Sequence, residues 1–209
     1  MTAKPDRTYS MTNRSAAAAA TREKILQATL QLANKKLTVE IVLADVADRA
    51  GVTVQTILRH FGTRDGLFDA AVVYGGDEVV AERETPIGEV ERAMTVIVDH
   101  YEARGDWVIT LLGQEASDER IRGITVPGKQ LHLQWVQEVF GPQLASRPVR
   151  CRGTVTNLLV VATDVYCWKL LRRDRGLSRA ETETSMRALV NAVLAIPDSA
   201  LTNTPSESE

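Results

Sequence analysis

Apolar residues recur along this chain at the three- and four-residue spacing of an amphipathic helix. The spacing predicts a first helix over residues 15–33, a second over 43–50 that stops at Gly51, and a third over 54–61. Thr53 is suited to cap the third helix, because its hydroxyl can accept a hydrogen bond from a free backbone N–H. Two short helices joined by a tight glycine turn predict a helix-turn-helix.

The rest of the chain is also predicted to be helical. A fourth helix follows Thr63, and Gly75–Gly76 interrupts its apolar pattern, so the pattern does not fix its length. Further helices are expected over about 89–103, 106–117, 129–140, 148–175 and 178–196. Ser178 and Glu181 have the spacing of a capping box, which favours a helix start there. Because no segment alternates with the period of two that is typical of a strand, the sequence predicts an all-α fold.

The segment between Val155 and Leu171 is apolar on almost every face of a helix. A helix that is apolar all round must be covered all round. We therefore expect one side to pack against its own domain and another side against a second subunit, in a closed twofold homodimer.

Composition and charge narrow the class of protein. The chain is 44% hydrophobic and 25% charged, which is typical of a globular protein. No stretch reaches the roughly 18 apolar residues of a membrane span, so we expect a cytoplasmic protein with no membrane contact. Up to residue 65, ten Lys and Arg face six Asp and Glu, whereas the rest carries 15 basic and 21 acidic residues. This asymmetry is expected if only the N-terminal part meets phosphates.

A motif links the N-terminal part to a known family. Residues 46–53 read VADRAGVT, and the matching positions that follow are Thr56-Ile57, His60-Phe61, Thr63-Arg64-Asp65 and Leu67-Phe68. With this motif, roughly residues 22–70 resemble the DNA-binding domain of the TetR family of repressors. Beyond it only the general layout of five further helices agrees, although residues 164–183 also look like the last two helices of many members.

The resemblance implies a three-helix DNA-binding head with a helix-turn-helix, followed by a larger helical domain that binds a ligand and dimerises through its last two helices. The chain is accordingly divided into five segments. These are a disordered arm (1–14), the helix-turn-helix DNA-binding domain (15–62), a connecting helix (63–84), the helical ligand-binding and dimerisation domain (85–197) and a disordered tail (198–209).

Carried over from the family, the DNA-contacting positions lie in and just after the third helix. They are Val54, Gln55, Thr56, Leu58, Arg59, His60, Thr63 and Arg64. The Gln55 amide can pair with adenine, Val54 can contact a thymine methyl, and the helix start at Thr63 with Arg64 suits a phosphate. For Val54 and Leu58, packing against the first two helices is an equally good interpretation.

Two departures from the family pattern bear on DNA affinity. Leu58 stands where the family usually has a Tyr whose hydroxyl contacts phosphate. Ile41-Val42 replaces a usual Thr pair at the start of the second helix, which removes a capping group and a phosphate ligand. We expect weaker or different docking on DNA, with Arg7, Arg14, Arg49, Arg59 and Arg64 still available to supply positive charge.

The predicted ligand pocket and dimer interface both lie in the second half of the chain. The pocket set is Tyr101, Trp107, Leu111, Trp135, Asn157, Val161, Asp164 and Trp168. The interface set is Val165, Leu170, Met186, Leu189, Val190, Val193 and Leu194. The aromatic residues can equally fill a core, and Asn157 and Asp164 can equally make structural hydrogen bonds.

Catalysis is not expected. The three histidines are scattered, and neither a metal-binding spacing nor a phosphate-binding glycine loop occurs, so we expect no enzyme, metal or cofactor. The sequence favours a ligand-responsive regulator, most simply a repressor that binds a palindromic operator as a homodimer and is released by a small, largely apolar molecule. The alternative is a helical small-molecule-binding protein whose helix-turn-helix has weak or no affinity for DNA.

Overall fold

The computed structural model describes residues 7–33 and 40–201, with side chains from residue 15 onward. The α-helices are α1 (Arg7–Ala33), α2 (Leu43–Ala50), α3 (Val54–Phe61), α4 (Arg64–Glu82), α5 (Val90–Leu112), α6 (Glu119–Val139), α7 (Gly141–Ala145), α8 (Val149–Ala162), α9 (Val165–Lys169) and α10 (Arg179–Ala195). A π-helical turn, Leu170–Asp174, follows α9, and a 3-10 helix, Asp198–Leu201, follows α10. No strand occurs in the described ranges, and the predicted all-α fold is confirmed.

The chain divides into two compact units, Met1–Glu78 and Val79–Glu209. The boundary therefore falls inside α4, within the segment that the sequence assigned to a connecting helix. Each unit has its own apolar core, built from different helices.

The core of the first unit is formed by α1, α2, α3, α4 and the residue Ile41 just before α2. Its buried apolar side chains are Ile25, Leu26, Ala28, Ile41, Val46, Ala47, Ile57, Leu67, Phe68 and Ala71. The predicted helix-turn-helix is present. Gly51 follows α2 at φ 65°, a left-handed conformation that glycine adopts without strain. The Thr53 hydroxyl accepts a hydrogen bond from the Thr56 backbone N–H at 3.1 Å, so its predicted capping role is confirmed.

The core of the second unit is formed by α5 to α10. Its buried side chains include Met94, Ile97, Tyr101, Trp135, Val136, Phe140, Leu159, Trp168, Met186 and Val190. At the start of α10 the Ser178 hydroxyl and the Glu181 carboxylate each accept a hydrogen bond from the other residue's backbone N–H, which confirms the predicted capping box.

α4 runs through Gly75–Gly76, so the interrupted apolar pattern does not end the connecting helix. Two predicted boundaries near the ends of the described residues are wrong. α1 begins at Arg7, so the backbone of residues 7–14 is helical and not part of a disordered arm. Residues 198–201 form a helical turn that is held in part by an ion pair of 2.9 Å between Arg147 and Asp198. The predicted disorder of residues 1–6 and 202–209 lies outside the described residues.

The boundaries of α5, α6 and α8 also differ from the prediction. α5 continues through Gly105, where a break was expected. α6 begins before Pro127, because the Asp118 carboxylate caps the backbone N–H groups of Arg120 and Ile121. The predicted long helix over 148–175 is interrupted at Thr163–Asp164, between α8 and α9.

Candidate functional sites

The exposed face of α3 carries polar side chains. Ile57 is fully buried in the core of the first unit, whereas Gln55 and Arg59 are exposed. Val54 is half-buried and packs against that core, which supports its structural interpretation. Leu58, Thr56 and His60 are also half-buried and lie between the two faces.

Threonine hydroxyls organise both ends of this surface. The Thr56 and Thr53 hydroxyl oxygens lie 2.9 Å apart, so one hydroxyl donates to the other. At the start of α4, the exposed Thr63 accepts a hydrogen bond from the Gly66 backbone N–H at 2.9 Å. Thr63 therefore caps α4 and leaves the helix start open to solvent, which is the arrangement that binds phosphate oxygens in other helices.

Arg64 has a structural role that the sequence did not predict. Its Nε and Nη2 atoms donate to the Ile41 backbone carbonyl at 3.2 and 3.1 Å. The guanidinium also lies 4.5 Å from the Phe68 ring centroid. Arg64 thus holds the chain just before α2 to the start of α4, and Ile41 is itself fully buried. At this position the family's threonine is replaced by a residue that fills the core.

Two further arginine side chains of the first unit contact neighbouring helices. Arg49 donates to the Gln31 amide oxygen at 2.8 Å, which joins α2 to α1. Arg22 of α1 lies 5.2 Å from the Phe61 ring centroid and is exposed. Arg22 was not among the predicted contact residues, because a stacking contact between remote helices leaves no signal in local spacing. Arg7 and Arg14, which were expected to supply charge, have side chains outside the described part.

Several residues of the predicted ligand pocket belong to the core of the second unit. The polar atoms of three aromatic members are bonded within the protein: Tyr101 donates to the Thr163 carbonyl at 3.0 Å, Trp135 to the Arg83 carbonyl at 3.0 Å and Trp168 to the Glu102 carboxylate at 2.9 Å. All three are core residues, as is Leu111, and Trp107 is half-buried.

The remaining residues of the predicted pocket are either exposed or have a structural role. Asn157 and Val161 are exposed, with Val161 67% exposed. The Asp164 carboxylate accepts a hydrogen bond from the Tyr166 backbone N–H at 2.8 Å and so caps α9, which is the structural interpretation of this residue. A groove of about 550 Å³ in the second unit is lined by Ala81, Glu82, Glu84, Thr85, Pro86, Arg92 and Val96, none of which was predicted.

A buried polar cluster occupies the second unit where α4 ends. The Glu82 carboxylate accepts two hydrogen bonds from Arg104 Nε and Nη2, and lies 2.9 Å from His100 Nδ1. Partial burial acts to raise the pKa of Glu82, but the hydrogen bonds from His100 and Arg104 outweigh it and lower the pKa to about 2. Burial lowers the pKa of His100 to about 4, despite its bond to Glu82. This imidazole is therefore neutral at pH 7 and donates to the carboxylate from Nδ1.

Arg83 and His132 form the other half of this cluster. Arg83 is only 9% exposed, and its Nη1 lies 3.5 Å from His132 Nδ1. His132 Nε2 lies 3.2 Å from the Thr163 hydroxyl oxygen. Burial, followed by the positive charge of Arg83, lowers the pKa of His132 to about 4. No local pattern in the sequence marks Glu82, Arg83, His100 or His132 as functional, because the cluster is assembled from the end of α4, from α5 and from α6.

The comparison with known families bears on the first unit. Residues 25–71 match the model of the bacterial regulatory proteins of the tetR family. This part of the chain therefore carries the N-terminal domain of the tetR family. The matched range contains α2, α3 and the predicted DNA-contacting residues, so the predicted family is confirmed.

Two solved structures have a fold similar to that of this chain. A tetR-family transcriptional regulator from Streptomyces coelicolor is 16% identical, with a TM-score of 0.64 over 87% of this chain and 85% of that chain. A transcriptional regulator from Rhodococcus sp. Rha1 is 18% identical, with a TM-score of 0.62 over 84% of this chain and 99% of that chain. No curated protein matches the chain.

A match to this domain agrees with a DNA-binding transcriptional regulator. In the described ranges, no group of three or more His, Cys, Asp or Glu side chains is arranged to hold a metal ion. Within those same ranges, no helix has both the length and the apolar character needed to cross a bilayer.

The predicted dimer-interface residues fall into three groups by exposure. Val165, Met186 and Val190 are buried in the core of their own unit. Val193 and Leu194 are half-buried and pack against the same core. Leu170 and Leu189 are 59% and 45% exposed. The sequence predicts that residues 155–171 are covered on every side. In the structure, the apolar side chains of this segment that remain exposed are chiefly Val161, Tyr166 and Leu170.

Proposed function

We propose that this TetR-family regulator is a homodimeric repressor that binds a palindromic operator and is released by a small, largely apolar molecule. A protein with this activity works in the bacterial cytoplasm. The observation that carries the DNA-binding part is the amphipathic α3, with Ile57 buried in the core and Gln55 and Arg59 exposed, inside the family-matched residues 25–71.

The exposed face of α3 has the chemistry of base readout. In this proposal Gln55 pairs with adenine, while Thr56 and the edge of Val54 contact neighbouring base edges in the major groove. Arg59, His60 and the start of α4 at Thr63 contact phosphates. Arg64 already donates to the Ile41 carbonyl. Its proposed part in DNA binding is therefore to hold the start of α4 against the chain just before α2. Leu58 is half-exposed and offers an apolar contact in place of a hydroxyl.

Dimerisation gives such a repressor its operator symmetry. The proposed interface uses the exposed apolar side chains of the last helices, including Leu170 and Leu189. Two heads then engage half-sites about 34–36 Å apart, or a multiple of that distance. The small molecule acts by binding more tightly to a conformation that does not fit this spacing.

Selection of bound sequences from random duplex DNA tests the repressor directly. The purified full chain is used at two salt concentrations, with a Gln55→Ala plus Arg59→Ala variant as the matched negative control. We expect a palindrome whose affinity falls steeply with salt, because several phosphate contacts release counterions. If the wild-type chain enriches no sequence at low salt, the repressor is excluded and the alternative of a ligand-binding protein without DNA affinity takes its place.

Light scattering combined with size-exclusion chromatography tests the dimer. We expect Leu170→Glu plus Leu189→Glu to convert a dimer into a monomer, because each change places a charge in an apolar interface. Val126 on α6 is 43% exposed, close to Leu189 in its exposed fraction, so Val126→Glu is the matched control and should leave the dimer intact. A dimer that survives the double change, or a wild-type monomer, contradicts the proposed interface.

A further inference from the structure

Arg83 is the residue that immediately follows α4, and its side chain is buried in the second unit. The guanidinium Nη1 lies 3.5 Å from His132 Nδ1, and its carbon lies 5.7 Å from the Tyr101 ring centroid. Its Nε is closed to solvent and has no hydrogen-bond partner. A guanidinium has five N–H donors and no acceptor, and here Nη1 meets an imidazole nitrogen whereas the buried Nε meets no acceptor.

Burial raises the pKa of the nearby Asp164 carboxylate overall, although the charge of Arg83 acts to lower that pKa, so the positive charge of Arg83 is only partly compensated. Glu82 is already bonded by Arg104 and His100, and the Asp164 carboxylate caps α9. Among the described residues, no carboxylate forms an ion pair with Arg83. The imidazoles of His132 and His100 are both neutral at pH 7, because burial lowers their pKa. A buried positive charge without a counter-ion is strongly unfavourable.

We propose that Arg83 is the anchor of an effector site and binds the carboxylate of a small organic acid. This inference rests on the proposed ligand-responsive function and names the chemical class of its effector. A carboxylate can accept two parallel hydrogen bonds from a guanidinium, which would include the unpartnered Nε. The rings of Tyr101, Trp135 and His132 lie around the cluster, with Trp135 and His132 stacked at 5.9 Å, and they suit an apolar body behind the carboxylate.

The balance of charge favours a monoanion. One buried positive charge neutralises one carboxylate, whereas a phosphate dianion would keep an uncompensated negative charge beside neutral histidines and Glu82. The site therefore selects a carboxylate over the dianion of inorganic phosphate.

The position of Arg83 links this site to regulation. α4 starts at Arg64 in the DNA-binding unit and ends at Glu82, one residue before Arg83. Because the Nε is closed to solvent, an acid reaches it only when neighbouring side chains move. The free energy of ion pairing then favours the moved conformation, which is how a ligand shifts an equilibrium between two states.

The stability of Arg83→Met without any ligand gives the first test. If Arg83 awaits an anion, removing its unpaired charge should raise the Tm by about 2 °C or more, since functional sites are held at the expense of stability. Arg150 is exposed on α8, and Arg150→Met is the matched control that should leave the Tm unchanged. A fall in the Tm of Arg83→Met would overturn the inference, because it would show that Arg83 stabilises the fold in its own right.

Binding of simple acids gives the second test. Benzoate and hexanoate are compared with benzamide and hexanamide, which have the same apolar bodies without the charge, and with inorganic phosphate. We expect at least one acid to raise the Tm of the wild-type protein more than its amide and more than phosphate do. Its affinity should fall at least 10-fold in Arg83→Met and stay unchanged in Arg150→Met. Equal responses to acids and amides, or equal binding by Arg83→Met, would show that the site is wrong.

The two proposals fail in different ways. A carboxylate preference that is lost in Arg83→Met, in a protein that selects no DNA sequence, supports the site and excludes the repressor. Operator binding without any carboxylate preference supports the repressor and excludes the site.

Discussion

The indole of Trp168 packs directly on the backbone of Gly105. A Cβ atom at position 105 would lie 2.5 Å from Trp168 Cζ3 and 2.7 Å from Cη2, which is closer than packed atoms approach. Trp168 is fully buried, donates to the Glu102 carboxylate at 2.9 Å and lies under the Arg173 guanidinium at 4.5 Å. Glycine at position 105 thus lets α5 and α9 approach closely around the largest fully buried side chain of the second unit.

Gly105→Ala is therefore expected to lower the free energy of unfolding of the second unit by about 1–3 kcal/mol, because the buried indole has to shift. Denaturant unfolding followed by tryptophan fluorescence measures it, since all three tryptophans lie in this unit. Gly123 is exposed in α6, and a Cβ added there would meet no atom within 4 Å, so Gly123→Ala is the control and should be neutral or stabilising. Equal effects of the two changes would contradict the close packing.

Gly75 and Gly76 in α4 differ in whether a neighbouring side chain packs against them. A Cβ at Gly75 would lie 3.2 Å from Leu30 Cδ2, whereas Gly76 has open space around it. We expect Gly76→Ala to raise the Tm, because alanine is favoured in a helix interior by about 0.5–1 kcal/mol, and Gly75→Ala to gain less or to lose stability as Leu30 moves. Circular dichroism on heating compares the two variants. The double change also tests whether bending of α4 at these glycines transmits the ligand signal to the DNA-binding unit. Unaltered DNA affinity and ligand response would exclude that role.

Arg64 and Arg59 are expected to differ in what they do. Arg64→Ala should destabilise the first unit by about 1–3 kcal/mol, because the Ile41 carbonyl loses its charged donor. Arg59 is exposed, so Arg59→Ala should leave the stability unchanged while weakening operator binding and lowering the salt dependence by about one phosphate contact. Thermal unfolding and fluorescence anisotropy on the selected operator give both readouts. A destabilised Arg59→Ala, or an Arg64→Ala variant as stable as wild type, would reverse the two roles.

The buried histidines predict that the second unit loses stability in acid. In the unfolded chain both imidazoles bind a proton near pH 6.5, but in the folded chain the pKa of His100 and of His132 is about 4. Between these values the unfolded state holds more protons, so stability falls as the pH drops through that range. We expect a loss of about 2 kcal/mol per histidine between pH 7 and about pH 4.5.

Glu82 acts in a lower pH window. Its folded pKa of about 2 lies below the unfolded value, so its contribution is present above about pH 4.5 and is lost only in stronger acid. Denaturant titrations between about pH 7 and pH 4.5 therefore isolate the histidines, and His132→Gln should remove about half of the slope. A stability that stays constant over this range would contradict the neutral, buried state of both imidazoles.

Several local features could be predicted from the sequence because their causes lie within a few residues. The spacing of apolar residues and the capping groups Thr53 and Ser178 placed α3 and the start of α10 correctly. Gly51 marked the end of α2, because only a residue with freedom at positive φ makes that turn easily. The family motif lies in the same stretch, since the helix-turn-helix is itself a local structure.

Glycine and proline were misleading where remote contacts decided their role. The break predicted between residues 103 and 106 is absent, because Gly105 serves the packing of Trp168, which is far away in the sequence. The helix predicted from residue 129 begins before Pro127, because the cap at Asp118 starts it earlier. The apolar segment after Val155 was assigned wholly to buried surfaces, but the break at Asp164 changes which of its side chains face outward.

The sequence by itself determined the helical class, the helix-turn-helix and the caps, because hydrogen bonding and apolar periodicity act between near neighbours. Only the tertiary structure decided that Arg83 is buried beside His132, that Arg64 bonds the Ile41 carbonyl and that Val165 faces its own core. Each of these depends on which distant segments meet and on whether a charge is left without water or a partner. Burial and charge compensation are properties of the packed chain, and no local pattern carries them.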